Sequence, residues 1–358
     1  MIRAQAPSNI ALIKYMGKKD SQRNVPENAS VSLTLRSLCS LAELNQDSSQ
    51  GNGVKWVPEA PALGPNDFFR SRELIVPKMG DAGIARVLRH VERVRKALPE
   101  ILGRWGMSPA SETGQWILKC ANTFPASSGI ASSASSFAAI SLAVASAGVK
   151  DLATFEKAWE NEVELRRALA GISRMGSGSS CRSFEGPWVY WEAESAFEVS
   201  QVQLPEVAHF VVLVKSQPKK VSSSEAHLQV RSSPLWEGRV QRAEARMKSV
   251  LEGLQSNDWV LLSRTVWSEF WEMHSLFHTC SEPFSYWESG TIDALAWFAP
   301  WIKSENPPIV TMDAGPNIHI IVEKSQRDLW RERISKQFSH SVILEDEQGR
   351  GASLLGMS

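Results

Sequence analysis

Cysteine is scarce in this chain. Its 358 residues include four cysteines, Cys39, Cys120, Cys181 and Cys280, and no two of them form a CxxC pair. Such wide spacing argues against a disulfide framework or a zinc site, so we expect reduced thiols. An excess of charge is absent as well, because Lys plus Arg and Asp plus Glu both number 39. This balance argues against a protein built mainly to bind nucleic acid or an anionic membrane, although it leaves room for a local basic site.

Long apolar runs are also missing. No stretch reaches the length of about eighteen apolar residues that a membrane-spanning helix needs. The N-terminal MIRAQAPSNI lacks the apolar core of a signal peptide. The apolar fraction of 43% and the charged fraction of 22% are ordinary for a globular protein. We therefore expect a cytoplasmic protein with no membrane or nucleic-acid partner, long enough for two domains.

Strands and helices are interspersed without the regular alternation of a doubly wound sheet. Apolar residues recur at spacings of three and four between Ile84 and Leu98, which predicts a helix over 81–98. DLATFEKAWENEVELRRALAG predicts one helix that starts after an Asp N-cap and ends before Gly171. PPIVTMDAGPNIHIIVEKS predicts two strands joined by a tight loop. The irregular order favours an α+β fold, with a domain boundary near residues 192–203.

A serine-rich segment stands in front of an alanine-rich helix in PASSGIASSASSFAAISLAVASAG, from Pro125 to Gly148. Free backbone N–H groups and the helix dipole favour an anion at such a helix start, and Gly129 permits close approach of the backbone. A phosphate is the natural guest, although neither a Walker A loop nor a dinucleotide fingerprint is present. A serine-rich cap on a buried helix is an equally ordinary explanation.

Four further clusters carry polar chemistry. RMGSGSSCRS supplies hydroxyls and Arg182, whose planar fork suits a carboxylate or phosphate. TMDAGPN places Asp313 where a strand meets a turn, either as a general base or as a turn cap. APSNIALIKYMGKKD and KSQPKKVSSSEAH combine lysines with hydroxyls, either around an anion or as solvated turns. Together with the serine-rich segment they supply the groups that phosphoryl transfer requires.

One pair of histidines has a spacing that can bind zinc. His274 and His278 lie four residues apart in a predicted helix, but no HExxH pattern surrounds them. A packed or hydrogen-bonded role is therefore the better interpretation.

The sequence resembles the diphosphomevalonate decarboxylase family, a branch of the galactokinase, homoserine kinase, mevalonate kinase and phosphomevalonate kinase (GHMP) superfamily. The resemblance covers most of the chain and depends on seven motifs in the family's order: APSNIALIKYMGKKD, PENASVSLTL, NTFPASSGIASSASSFA, RMGSGSSCRS, KKVSSSEAH, HSLFHT and MDAGPN. It implies a two-domain α+β fold with the active site in the interdomain cleft. The ATP-binding domain would span 1–195 and the C-terminal domain 196–358.

The resemblance also implies an activity and its site residues. The family converts mevalonate 5-diphosphate and ATP, with Mg²⁺, into isopentenyl diphosphate, ADP, phosphate and CO2. By resemblance, Asp313 and Lys14 would act at the C3 hydroxyl and Arg182 would hold the carboxylate. The substrate would be bound by Tyr15, Lys18, Ser177, Ser179, Ser222 and Ser223. The ATP phosphates would lie against Ala126, Ser127, Ser128, Gly129, Ile130, Ala131, Ser132 and Ser133, with Ser132 and Ser133 near the Mg²⁺ ion.

Some positions depart from the family pattern. Met16 stands where the family usually has Trp, and Glu27 where it has an aliphatic residue. Both flank expected substrate residues, so a decarboxylase or kinase acting on a related mevalonate phosphate stays an alternative. A non-catalytic homologue that senses a phosphorylated metabolite is another. The family also commonly forms homodimers, which makes a homodimer possible here.

Overall fold

The computed structural model describes residues 1–47, 51, 53–110, 114–125, 130, 132–214 and 221–356. A mixed sheet in the N-terminal half has the strand order β13-β1-β4-β6-β5, with β7 and then β8 added beside β4. Its strands are β1 (Ile2–Ile13), β4 (Ser30–Asp47), β5 (Gly53–Trp56), β6 (Gln115–Asn122), β7 (Trp188–Glu192), β8 (Ser195–Glu198) and β13 (Ser353–Leu354). A small ribbon of β2 (Lys18–Asp20) and β3 (Val25–Pro26) follows the end of β1.

Helices cover one face of this sheet: α1 (Asp81–Gly103), α2 (Ser132–Ala147), α3 (Leu152–Asn161) and α4 (Val163–Gly176). Helix α2 lies at the centre of the layer, and most of its residues are buried. Burial on every face is expected for a helix that is apolar all round. The small alanine side chains let the neighbouring elements pack closely against it. The start of α2 is thereby fixed beside β1 and β4, the two strands it contacts most.

The second sheet has the order β10-β11-β9-β12 and is antiparallel throughout. Its strands are β9 (Val207–Leu213), β10 (Ile309–Thr311), β11 (Ile318–Glu323) and β12 (Val342–Glu347). The helices of this half are α5 (Ser223–Gln229), α6 (Arg239–Ser256), α7 (Trp259–Thr279), α8 (Ser289–Phe298) and α9 (Arg327–Gln337). No helix in the described ranges is both long and apolar enough to cross a membrane.

The end of the chain returns to the first sheet, where β13 pairs with β1. Strand β1 also contacts α6 and α7 of the second half. Its pairing with β4 shifts register between Ala11 and Ile13, and an irregularity of this kind bends a strand. The residues that follow this register shift, from Lys14 onward, lie where the two halves meet.

The α+β fold is confirmed, and so is the strand, loop and strand around Asp313. The single helix predicted between Asp151 and Gly171 is wrong. Asp151 does cap α3 by accepting from the Thr154 N–H, but the helix stops at Glu162, whose φ of −103° and ψ of 95° are extended, and α4 starts afresh. The domain boundary at 195/196 stays a prediction.

Candidate active site

A cleft of about 240 Å³ lies where the two halves meet. Ten residues that the sequence predicted for the site line this cleft: Lys14, Tyr15, Lys18, Ser133, Ser177, Ser179, Arg182, Ser222, Ser223 and Asp313. The charged side chains in this described lining are four cations, Lys14, Lys18, Arg86 and Arg182, against the single carboxylate of Asp313. Such an excess of cations focuses a positive potential in the cleft and suits an anionic ligand.

Lys14 and Asp313 form the ion pair at the base of the cleft. The Lys14 Nζ atom donates to Asp313 Oδ1 at 2.8 Å and to the Ala11 carbonyl at 2.6 Å. The lysine is 2% exposed, and its burial lowers its pKa from the ordinary value, an effect that the Asp313 charge opposes. Asp313 keeps a side-chain exposure of 22%. A carboxylate that is anchored on one oxygen and still accessible can receive a hydroxyl proton.

The turn after Asp313 is closed by its main chain, because the Gly315 N–H donates to the Asp313 carbonyl at 2.7 Å. The turn-cap role that the sequence left open would use the carboxylate instead. In the described part of the chain, the hydrogen bond that the carboxylate makes is with Lys14. The Asp313 side chain is thus directed to the cleft chemistry rather than to the turn.

A buried ion pair fixes the main chain of Lys14. Its N–H donates to Glu269 Oε1 at 3.0 Å, and its carbonyl accepts from Arg239 Nη2 at 3.3 Å. Arg239 and Glu269, on α6 and α7, are themselves paired and both 0% exposed. Arg246 donates to the second Glu269 oxygen at 2.9 Å. The backbone of Lys14 is therefore held from both sides by helices of the second half.

Arg182 is a buried guanidinium that is 4% exposed. Its Nε and Nη2 atoms donate to Asn9 Oδ1 at 3.1 and 3.0 Å, its Nη1 donates to Ser30 Oγ at 2.8 Å, and its plane lies 5.4 Å from the Trp191 ring centroid. Burial lowers its pKa. These partners are neutral, and no ion pair of Arg182 occurs within the described ranges. A buried guanidinium whose partners are all neutral can bind an anionic ligand.

Tyr15 and Lys18 also line the cleft. The Tyr15 ring packs against Trp191 and His227, with centroid distances of 4.7 and 4.2 Å. Its hydroxyl is buried and has no hydrogen-bond partner among the described residues, and burial raises its pKa. Lys18 donates to Asn24 Oδ1 at 2.7 Å, and burial together with Arg86 lowers its pKa. An unpartnered buried hydroxyl beside a cation favours a ligand that accepts hydrogen bonds.

Ser222 caps α5 through a capping box. Its hydroxyl accepts from the Glu225 N–H, and the Glu225 side chain accepts from the Ser222 N–H. The Ser222 hydroxyl accepts in this exchange and keeps its own hydrogen to donate, and Ser222, Ser223 and Ser224 are all exposed at the cleft. The start of α5 thus presents hydroxyls to the cleft that holds Lys18.

The start of α2 meets the second serine cluster. The Ser133 and Ser177 hydroxyl oxygens lie 3.2 Å apart, and Ser8 donates to the Ile130 carbonyl. Ser132 begins α2 but does not line the cleft. The other five residues predicted to bind ATP, Ala126, Ser127, Ser128, Gly129 and Ala131, lie outside the described residues. Their role stays a prediction.

Among the cleft residues that the sequence analysis did not assign to the site are Asn24, Arg86 and His227. Arg86 lies on α1 and donates to the Gly176 carbonyl at 2.7 Å. Asn24 donates to the carbonyls of Arg174 and Met175. Each reaches the cleft through tertiary packing, so no local motif marks Asn24 or Arg86. His227 was at least visible as the end of the KKVSSSEAH cluster.

The two departures from the family pattern have different surroundings. Met16 is 2% exposed, lines the cleft and packs with the cluster around Met273. Glu27 does not line the cleft, and its carboxylate pairs with Arg231. Met16 therefore adjoins the ligand space, whereas Glu27 is neutralised outside it.

The histidine pair on α7 is packed among aromatic rings. His274 is 0% exposed and contacts Phe270, Phe277 and Trp287. Within the described ranges, no group of three or more His, Cys, Asp or Glu residues could hold a metal ion. The packed role is thereby favoured over a zinc site for His274 and His278.

Comparisons with known proteins agree with this geometry. The model of the diphosphomevalonate decarboxylase-like N-terminal domain matches residues 6–202, and that of the mevalonate 5-diphosphate decarboxylase C-terminal domain matches residues 209–353. Diphosphomevalonate decarboxylase of Ganoderma lucidum is 28% identical over 366 residues, which cover 97% of this chain and 84% of the relative.

Solved structures show the same fold. A mevalonate diphosphate decarboxylase from Legionella pneumophila is 34% identical, with 96% of this chain and 99% of that chain covered and a TM-score of 0.76. MDDEF, solved in complex with MVAPP, AMPPCP and magnesium, is 24% identical, with coverages of 99% and 98% and a TM-score of 0.77.

The two sheets with their shared cleft define a two-domain protein of the GHMP type. Within that class, the matches over both halves place it more narrowly. This chain belongs to the diphosphomevalonate decarboxylase family.

Proposed function

We propose that this chain catalyses the ATP-dependent decarboxylation of mevalonate 5-diphosphate to isopentenyl diphosphate, ADP, phosphate and CO2. The observation that carries the proposal is one cleft that combines the Lys14–Asp313 pair with the buried guanidinium of Arg182. The pair suits a hydroxyl that must lose a proton, and the guanidinium suits a carboxylate. Membership of the family supports the same reaction.

The proposed chemistry needs these groups for a physical reason. The tertiary C3 hydroxyl of the substrate is a poor leaving group until ATP phosphorylates it. Asp313 orients the hydroxyl and accepts its proton, and Lys14 stabilises the negative charge on the transferring phosphoryl group. The departing phosphate would take this proton back from Asp313, so the positive charge left at C3 faces a carboxylate again. The carboxylate held by Arg182 then leaves as CO2, and its bonding electrons form the alkene.

We assign the part of the cleft around Tyr15 and Lys18 to the substrate diphosphate, which Ser222 and Ser223 would also bind. Ser177 and Ser179 line the same cleft and would also contact the substrate. The excess of cations in the cleft supports this assignment, because a diphosphate carries several negative charges.

ATP and Mg²⁺ fit the start of α2. Serine hydroxyls and helix N–H groups suit phosphate, and Mg²⁺ usually binds through substrate phosphates with few protein ligands. Ser132 and Ser133 offer oxygen atoms of the kind that Mg²⁺ prefers. When bound, ATP supplies the phosphoryl group and Mg²⁺ neutralises charge on its phosphates.

The proposal includes a cytoplasmic location, which the four free, buried cysteines support. A homodimer stays a prediction, for which light scattering after size-exclusion chromatography is the direct measurement.

The test is release of labelled CO2 from mevalonate 5-diphosphate carrying isotope at C1, with ATP and magnesium. Mevalonate 5-phosphate and mevalonate serve as parallel substrates. We expect equal amounts of CO2, ADP and phosphate from the diphosphate. ADP without CO2 would instead indicate a kinase, and preferential turnover of the monophosphate would change the substrate. Binding without any product would indicate a sensor.

A further inference from the structure

His227 is a cleft residue without a role in the reaction as described above. It lies on α5, is 9% exposed, and lines the cleft beside Tyr15 and Lys18. Its Nδ1 atom accepts a hydrogen bond of 3.2 Å from the backbone N–H of Gly17. No other hydrogen bond of its ring is found among the described residues.

The Gly17 contact fixes the protonation of the ring. A nitrogen that accepts from an N–H group carries a lone pair, so Nδ1 is unprotonated and the ring is neutral. The proton of a neutral ring must then be on Nε2. Gly17 can approach this closely because it has a φ of +80° and no side chain; a Cβ there would lie 2.4 Å from Trp236.

The surroundings of the ring also favour the neutral form. His227 is packed against the Tyr15 ring and is influenced by Lys18 from β2 and Arg182 from the helical turn after α4. Burial first, and then these two cations, lower the pKa of His227 to about 3. In the protein without a ligand the ring is therefore neutral near pH 7.

We propose that His227 is a specificity-determining residue, whose Nε2–H donates a hydrogen bond to a phosphate oxygen at the phosphorylated end of the substrate. The proposal rests on the proposed function. The chemistry of the neighbours selects the ligand: a cation, an unpartnered tyrosine hydroxyl and helix-start serines surround the ring, and the one lining carboxylate is paired with Lys14. An acceptor-only anion satisfies all of these donors at once.

Two substitutions separate the two ring nitrogens. In His227→Asn the amide oxygen can still accept from Gly17 N–H, but nothing replaces Nε2. In His227→Gln the longer amide can place an N–H group near the Nε2 position. We expect H227N to raise KM for mevalonate 5-diphosphate roughly tenfold, the worth of one hydrogen bond to a charged group. KM for ATP should change less than twofold, and H227Q should recover part of the loss.

The control variant is His278→Asn on α7, a half-buried histidine outside the described cleft lining, and it should leave both KM values unchanged. The increase in KM for H227N should be the same at pH 6 and pH 8, because a neutral donor does not titrate there. A larger loss at pH 6 would mean that an imidazolium binds the anion, and would overturn the neutral-donor assignment. An unchanged KM with a lower melting temperature would reduce His227 to a packing residue.

Binding of inorganic diphosphate, measured by calorimetry on the full chain, keeps this test separate from the reaction. H227N should weaken diphosphate binding whether or not the wild-type chain releases CO2. If the wild type is inactive on mevalonate 5-diphosphate and H227N still binds diphosphate more weakly, the proposed function fails and the His227 site stands. Equal binding by H227N and wild type would overturn the site itself.

Discussion

At the scale of single residues, the Lys14–Asp313 pair must both hold its geometry and change its protonation during a reaction. The two groups share one hydrogen bond, and the second Asp313 oxygen is left for a ligand. Because Lys14 is almost fully buried, the Asp313 charge is also what makes a charged Lys14 tolerable there. A buried lysine that loses its counter-charge can release its proton instead of staying charged, so we expect a change at Asp313 to affect the chemistry more strongly than folding.

We predict that Asp313→Asn lowers turnover by about a hundredfold or more, since general-base help alone is worth roughly 10²–10⁴. ATP binding should be nearly unchanged. The melting temperature should fall only modestly, because an amide oxygen can still accept from Lys14. Turnover per folded molecule and the melting temperature should be measured on one preparation. A destabilised but fully active variant would remove Asp313 from the mechanism.

We also predict that Arg182→Lys is a severe change. Lysine keeps the charge but cannot donate to Asn9 and Ser30 while presenting a planar face to a carboxylate. The loss of one charge-assisted contact costs roughly 1.5–3 kcal/mol, or about ten- to a hundredfold in kcat/KM.

The matched control for that substitution is Arg174→Lys. Arg174 is equally buried, but it contacts the Arg23 carbonyl and Glu194 and does not line the described cleft. This variant should lose stability and keep its kcat/KM. Wild-type efficiency in R182K would show that Arg182 does not hold the carboxylate.

At the scale of elements, helices α6 and α7 act as a clamp on the end of β1. The fully buried Glu269 accepts from the Lys14 N–H, from the buried Arg239 and from the partly exposed Arg246. Removing its charge leaves Arg239 buried without a full counter-charge, which is more costly than removing both partners.

We therefore predict that Glu269→Gln lowers the free energy of unfolding by about 3–5 kcal/mol and also lowers kcat, because Lys14 loses its main-chain support. The control is Glu272→Gln, about one turn further along α7, where Glu272 pairs with Arg242 and Arg246 nearer the surface and lies 3.6 Å from Arg239. It should cost less stability and leave kcat close to wild type. Urea denaturation and initial rates provide both quantities, and a fully active E269Q would separate the clamp from the chemistry.

Elements with a long apolar period were predictable from the sequence. The helix over 81–98 is observed as α1, Asp81–Gly103, since its buried residues repeat at three and four. The break at Glu162 was not predictable, because no Gly or Pro marks it. Strand β12 was also missed, because VILEDE has only three apolar residues and they do not alternate with polar ones. Its buried Asp346 is satisfied by Ser37 and by the Leu38 N–H, which are distant in sequence.

At the scale of the whole molecule, the cleft is assembled from segments at both ends and the middle of the chain. The motifs indicated which side chains could bind or react with a ligand. Each motif alone was equally compatible with a structural role, such as a helix cap, a turn cap or a solvated turn. The resemblance to a known family, rather than spacing, assigned their roles. Arg86 and Asn24 could not be found this way, because their place in the cleft depends on how α1 and the β2–β3 turn pack.

Burial of neutral histidines ties the stability of the whole chain to pH. Burial lowers the pKa of His90, His227 and His274 to about 3 in each case. In the unfolded chain these rings would titrate near their ordinary value of about 6.5. Above that pH neither state binds the extra protons. Between about 6.5 and 3 the unfolded chain binds them and the native chain does not, so stability falls as the pH falls.

His274 offers the sharpest test, because it is fully buried against aromatic rings, with His278, Lys14 and Asp313 as its titratable neighbours. Between pH 7.5 and pH 5, we predict that the free energy of unfolding falls by about 2 kcal/mol less in His274→Leu than in the wild type. The pH interval from about 6.5 to 5 spans about 1.5 units, and each unit is worth about 1.4 kcal/mol. Urea denaturation at the two pH values measures the difference. His340→Gln, at an exposed position, should follow the wild type. If H274L loses as much stability as the wild type, then His274 takes up a proton in the native fold, and acid sensitivity must arise from another buried group.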